Sequence, residues 1–155
     1  MARPKRFTHP DPEIEANTIA EMKKQYHRDK RAERKKLGKE LGHCTKCAGE
    51  RAGETLFCEH HWYQDRSMAR LGTTIHAAAL KEQMEKQEHR CYYTGKSLVI
   101  GVNASLDHKL SIKNHPELEH DVSNVVWCLK EINWMKSGMD DDEFLANCKL
   151  ISSRF

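Results

Sequence analysis

Apolar residues are sparse at the front of the chain, where Ile14, Ile19, Met22 and Tyr26 fall on one side at helical spacing. No proline interrupts the stretch from Glu13 to about Leu41, so the pattern predicts one long helix with a narrow apolar stripe. Its second half, KKQYHRDKRAERKKLGKE, is polar on almost every side and must bind something, bridge modules or fray. Ahead of it, Pro4, Pro10 and Pro12 with little apolar content make the first dozen residues a flexible arm. A second helix is predicted from Thr74 to about Glu88, capped by Thr73 or Thr74, with Ala77, Leu80 and Met84 on one side and His76 at the surface.

The period changes in the last third. HRCYYTGKSLVIG places a turn at Thr94-Gly95 before an apolar run, and NASLDHKLS alternates as a strand does. A loop from Ile112 to Asp121 leads into a second short strand at Asn124-Val-Val-Trp-Cys. LKEINWMKSG then reads as a helix closed by Gly138. A final helix starts at Asp140, with Glu143 as capping partner, and should bury Phe144, Leu145, Cys148 and Ile151. The order strand, loop, strand, helix, beside the other helices, gives an α+β fold class.

Between the two early helices lies HCTKCAGERAGETLFCEHHW. Cys44-x2-Cys47 and Cys58-x2-His61 face each other across ten residues that include Gly49 and Gly53. Two short chelating turns at the ends of a glycine-bearing loop bring four ligands to tetrahedral corners, and thiolate and imidazole are the donors that zinc prefers. The spacing therefore predicts a Cys3His zinc knuckle, with His60 as a rival fourth ligand. The plainer alternative is four reduced residues packed as small hydrophobes. A closed four-ligand zinc site holds a fold together and performs no chemistry.

Other features narrow the class. Apolar runs such as Leu98-Val99-Ile100 are far shorter than the roughly 20 residues needed to span a bilayer, so no membrane association is expected. The opening MARPKRF has no apolar segment behind it to act as a secretory signal, so the six cysteines read as reduced thiols or metal ligands in a cytoplasmic protein. At 38% apolar and 32% charged over 155 residues, the chain has room for one compact domain plus extensions. Residues 1–43 hold twelve Lys or Arg against seven Asp or Glu, while 140–143 read DDDE. A basic front suits a polyanion, which makes Lys23, Lys24, Arg28, Arg31, Arg34 and Lys35 candidate DNA contacts; a solvated charged helix is the alternative.

Asp107-His108, Asn124 and Asn133 resemble the HNH nuclease motif in the variant whose third position is Asn. Asp-His ends one strand, Asn124 lies in the returning strand, and Asn133-x2-Lys136 falls on the helix behind it. The resemblance covers about residues 91–150. Cys91-Tyr-Tyr-Thr-Gly and Asp142-Glu143-Phe144 also look like flanks seen in HNH proteins of phages and bacteria. It implies a small ββα-metal module with a separate zinc knuckle and flanking helices. Asp107 and Asn133 would hold one divalent ion, and His108 would be the general base. Asn124 would complete the catalytic set by bridging backbone groups that orient the His108 loop, and Lys136 would meet a phosphate. Phosphodiester hydrolysis needs an activated water and a cation to offset charge on the phosphate, and hard oxygen donors suit Mg2+ or Mn2+. Many HNH domains carry their own four-cysteine zinc site, but here Cys91 is followed at the fourth position by Thr94, and Cys128 by Glu131. His115 and His120 read as solvated loop histidines.

The expected organisation is a basic arm and helix over 1–43, a zinc knuckle over 44–62, a connecting helix within 63–90 and a nuclease module over 91–155. The expected function is a metal-dependent DNA endonuclease, with nicking or double-strand cleavage and monomer or dimer left open. A non-catalytic zinc-containing DNA-binding protein on the same scaffold is the runner-up. A protein-interaction zinc module comes third, because it leaves the basic helix and Asp107-His108 without a role.

Overall fold

The structure, a computed structural model, describes the backbone of residues 12–155 and side chains from residue 17 onward. The expected arm and the Ile14 side chain lie outside the described residues. Helix α1 (Pro12–Leu41) matches the predicted long helix and is ~45 Å long at 1.5 Å per residue. Its stripe residues Ile19, Met22 and Tyr26 are exposed. Among the described residues, α1 meets the rest of the fold in its C-terminal part, where buried Gly38 sits against the cysteine loop. Its carbonyl there accepts from Arg51 Nη2 at 2.6 Å and from the His43 N–H at 3.0 Å.

Helix α2 (Glu59–Leu71) was not predicted from the sequence. Trp62, Tyr63, Ser67 and Leu71 recur at helical spacing on its buried side, but the metal-ligand pattern ending at His61 masks that period. Helix α3 (Ala77–Lys86) begins later than Thr74, with His76 rather than a threonine before its first turn. Leu80 and Met84 are buried, as their spacing predicts.

Strands β1 (Ala104–His108) and β2 (Val125–Leu129) form one antiparallel pair, with His108 opposite Val125 and Ala104 opposite Leu129. A two-stranded hairpin alone is marginal in water and needs a helix to cover it. Here α2 and α3 do so: Trp127 stacks on Trp62 at 5.0 Å, meets Tyr63 edge-on at 5.7 Å and donates its Nε1–H to the Leu80 carbonyl at 2.9 Å. Side-chain amides on α3 and at its C-cap occupy the outer edge of β2 where a third strand would lie. Gln87 accepts from the Trp127 N–H at 3.0 Å and donates to its carbonyl at 2.9 Å, and Gln83 donates to the Val125 carbonyl. The main core thus draws on residues from Trp62 to Cys128.

Helices α4 (Lys130–Lys136) and α5 (Asp141–Ser152) complete the fold, giving a mixed α+β chain with five α-helices among the described residues. Three expectations are corrected here. The residue that takes a positive φ after α4 is Ser137 at φ 52°, not Gly138. Asp140 precedes α5 without a side-chain cap, since its carboxylate instead accepts from the Ser111 N–H at 2.7 Å. Of the four apolar residues expected to be buried by α5, only Phe144 is; Cys148 is half-buried, while Leu145 and Ile151 are exposed. No helix among the described residues is long and apolar enough to cross a membrane.

The cysteine loop docks onto the hairpin by close backbone approach. Gly53, at φ +56°, lies so near the Ile100 carbonyl that an added Cβ would come within 2.4 Å of it. Gly101, at φ +77°, packs equally tightly on Ala52 and Thr55. Two glycines pressed together from either side leave no room for side chains, which fixes the loop against the turn before β1.

Candidate functional site

Two polar centres stand apart in this fold. In the first, ligand atoms of Cys44, Cys47, Cys58 and His61 all lie within 4.8 Å of one another. His61 Nδ1 is 3.4 Å from Cys44 Sγ and 3.2 Å from Cys58 Sγ, and Cys47 Sγ is 3.6 Å from Cys58 Sγ. A tetrahedron with zinc–sulfur bonds of ~2.3 Å has edges of roughly 3.7 Å, so the cluster fits a structural metal such as zinc. Cys58 precedes α2 and His61 lies in its first turn, so the helix sets their relative position. Burial opposes ionisation of Cys44, but backbone donors of Cys58, Lys46 and Cys47 aimed at its sulfur outweigh it and hold the thiol down to about 6. A thiolate at neutral pH is what a metal needs. His60 Nε2 lies 3.1 Å from Gln64 Nε2, and it is His61 that joins the three cysteines in the cluster.

The second centre lies where β1 meets α4. Asp107, His108, Asn124 and Lys136 are all buried. Asn124 does not lie within the returning strand; it ends the short 3-10 turn Val122–Asn124 just ahead of it. From there its Nδ2–H donates to the Leu110 carbonyl and its Oδ1 accepts from the Leu110 N–H, both at 2.9 Å. Its own carbonyl accepts from the Lys109 N–H at 2.7 Å. These three bonds fix the chain leaving His108. Asn133 donates to Ser105 Oγ at 2.8 Å and to the Leu106 carbonyl at 3.1 Å, so its Nδ2 is held on β1 while its Oδ1 has no protein partner.

Lys136 is the main correction at this centre. Only 1% exposed, it cannot serve as a surface contact to phosphate. Its Nζ instead donates to the carbonyls of His108 at 2.5 Å and Lys109 at 3.3 Å and pairs with Asp107 Oδ2 at 3.2 Å and Asp141 Oδ1 at 3.3 Å. Tyr93 closes the cluster, its hydroxyl 2.9 Å from Asp107 Oδ2 and 2.7 Å from Asp141 Oδ1. Burial, then the hydrogen bond to Asp141 and the charge of Asp107, push the Tyr93 phenol far up, so it stays protonated as the donor. Both partners of Asp107 sit on Oδ2, which leaves Oδ1 for a ligand.

His108 joins this cluster through its carbonyl. Its Nε2 is buried without a hydrogen-bond partner. Burial, with the Arg70 charge on α2, depresses its pKa against the opposing pull of Asp107 and a backbone bond to Glu119. A neutral imidazole with one open nitrogen can accept a proton. Asp107 lies in β1, and Asn133 bonds to that strand from α4.

The chain matches no protein-family model and no curated protein.

Sequence reasoning missed Tyr93, Asp141 and Arg70. Tyr93 belongs to a stretch noticed for its turn and as a flank of the motif, with no role given to the phenol. Asp141 sits inside DDDE, which reads as helix-start acid, and nothing in the spacing marks the second Asp as the one that turns inward. Arg70 lies on the unpredicted helix. On α1, Lys23, Lys24 and Arg28 are exposed, with Lys24 paired to Glu21 at 2.9 Å. Arg31, Arg34 and Lys35 line a groove against the cysteine loop.

Proposed function

We propose that this protein is a metal-dependent DNA endonuclease of the HNH kind, with a structural zinc at Cys44, Cys47, Cys58 and His61. The observation that carries the reading is His108: a buried, neutral imidazole with an unpartnered Nε2, next to Asp107 at the end of a hairpin strand whose exit Asn124 clamps. Unpartnered buried polar atoms are rare and mark places where a ligand or a reacting group belongs. In this reading His108 Nε2 takes the proton from an attacking water, and Asn124 keeps the imidazole in line. The oxygen donors of Asp107 and Asn133 that lack protein partners suit Mg2+ or Mn2+, which would supply charge stabilisation at the phosphate. Tyr93, Lys136 and Asp141 fix the Asp107 carboxylate.

The Lys136–Asp107 pair favours a second reading, a non-catalytic zinc-containing DNA-binding protein on the same scaffold, because a built-in ammonium already neutralises the carboxylate. Supercoiled plasmid incubated with zinc-loaded protein and Mg2+ separates the two. The nuclease reading expects relaxed or linear product that disappears in His108→Ala, on the order of a 100-fold loss or more, with DNA affinity retained. No cleavage by the wild type, or equal cleavage by His108→Ala, leaves the binding-protein reading standing.

A further inference from the structure

Helix α1 presents a basic face that its charge total hides. His27, Lys30, Arg31, Arg34 and Lys35 recur at three- and four-residue intervals, and Gly38 continues the same row. Gly38 is where α1 is seated on the cysteine loop, and the basic row, although exposed, lies on the side of α1 that meets that loop. Between them lies a groove of ≈ 730 Å³, lined on the far wall by Thr45, Lys46, Leu56 and Phe57. No acidic side chain lines it, although Lys30 has Glu33 as an ion-pair partner at 3.0 Å. Arg34 Nη1 reaches the Lys46 carbonyl at 3.4 Å and ties the two walls together.

We infer that this groove, with His27, Lys30, Arg31, Arg34, Lys35 and Lys46 around it, holds the sugar–phosphate backbone of duplex DNA, and that the loop carrying the Cys3His cluster forms its far wall. The inference rests on the DNA reading above and moves the contact from the outer residues Lys23, Lys24 and Arg28 to the inward row. Cations on both walls match a chain of phosphates, each of which can displace condensed counterions. The duplex is favoured over a single strand because single-strand sites add aromatic platforms for bases. The groove's one aromatic carbon ring, Phe57, is instead covered by Lys46 Nζ at 5.1 Å from its centroid.

Fluorescence anisotropy with a labelled duplex, without divalent ions and over a range of NaCl, tests this independently of cleavage. Arg31→Ala/Lys35→Ala/Lys46→Ala should weaken binding by roughly 10-fold or more and lower the salt slope by about 2 to 3. Lys23→Ala/Lys24→Ala/Arg28→Ala should change affinity by less than about 3-fold. Zinc content and thermal melting of each variant verify the fold, and the single change Lys46→Glu, on the exposed rim, gives a second reading of the far wall. Loss confined to the outer-face variant, an unchanged slope in the groove variants, or tighter binding of a single strand of the same sequence overturns the groove. Wild-type binding that depends on the groove without any cleavage sinks the nuclease reading alone, and cleavage with groove variants unimpaired sinks the groove alone.

Discussion

The two polar centres neutralise charge in opposite ways. At the Cys3His cluster, three thiols and an imidazole crowd within 4.8 Å with no cationic side chain among them, a ligand set for an ion supplied from outside. At the β1–α4 seam, two carboxylates share the ammonium of Lys136 and the hydroxyl of Tyr93, so the chain carries its own cation. The cluster's ligands come from two short turns within eighteen residues, whereas the seam joins Tyr93, Asp107, Lys136 and Asp141 across nearly fifty. The first centre is assembled from local sequence and little else. The second needs the rest of the fold.

Metal removal should have the largest effect. Structural zinc sites in small modules are worth on the order of 10 kcal/mol, which exceeds what the loop's few other contacts can replace. Cys47→Ser, or prolonged chelation, should therefore release residues 43–58 and the seating of Gly38 while the Trp127 core stays packed. Limited proteolysis read beside Trp fluorescence checks this: cleavage should appear in the loop and α1 before the emission shifts. Loss of both signals together would show that loop and hairpin melt as one unit, and an unchanged digestion pattern would remove the metal from the account.

Lys136→Met tests the other side of the comparison. Removing one partner of a buried ion pair costs about 3–5 kcal/mol, because the remaining charge stays buried without compensation. Two carboxylates would then face each other across Tyr93. Asp107→Asn in the Lys136→Met background should recover part of the loss, since an apolar or neutral replacement of a whole pair is far less damaging than half of one. Millimolar Mg2+ should raise the melting temperature of Lys136→Met more than that of the wild type if a divalent ion can stand in for the ammonium. A Lys136→Met protein as stable as the wild type would mean that the pair contributes nothing.

What could be read in advance follows the same division. The Cys3His ligands were legible because chelation by x2 turns is local, and only the choice between His60 and His61 needed the direction of α2. The strands and the helix after them were legible from their period, and Asp107, His108, Asn124 and Asn133 are all anchored to β1 or its exit. Lys136 was misread because an isolated lysine on a short helix looks solvated by default. Its burial depends on Asp107 from one element and Asp141 from another. Leu145 and Ile151 were misread for a related reason: apolar residues at helical spacing predict a buried stripe, but among the described residues only Phe144 finds a cover, packing edge-on against Tyr93 at 5.6 Å.

The smallest predicted effect concerns the backbone just after the seam. Ser137 ends α4 at φ 52° and ψ −120°, a conformation that disfavours any residue with a Cβ. Its side chain is exposed and makes no hydrogen bond that would offset the strain, while its N–H donates to the Asn133 carbonyl at 2.9 Å and holds the turn closed. Such strain costs of order 1–3 kcal/mol, and the greater freedom of glycine in the unfolded chain returns part of that. Ser137→Gly should therefore stabilise the protein by about 1 kcal/mol, a rise of about 2–4 °C in melting temperature for a chain of this size. The Cys3His cluster should not respond, because no contact of Ser137 reaches it. A fall in melting temperature would show that the serine supports the seam in a way its hydrogen bonds do not reveal. A rise accompanied by slower plasmid cleavage would show that the strained turn holds Asn133 and Lys136 in register with β1.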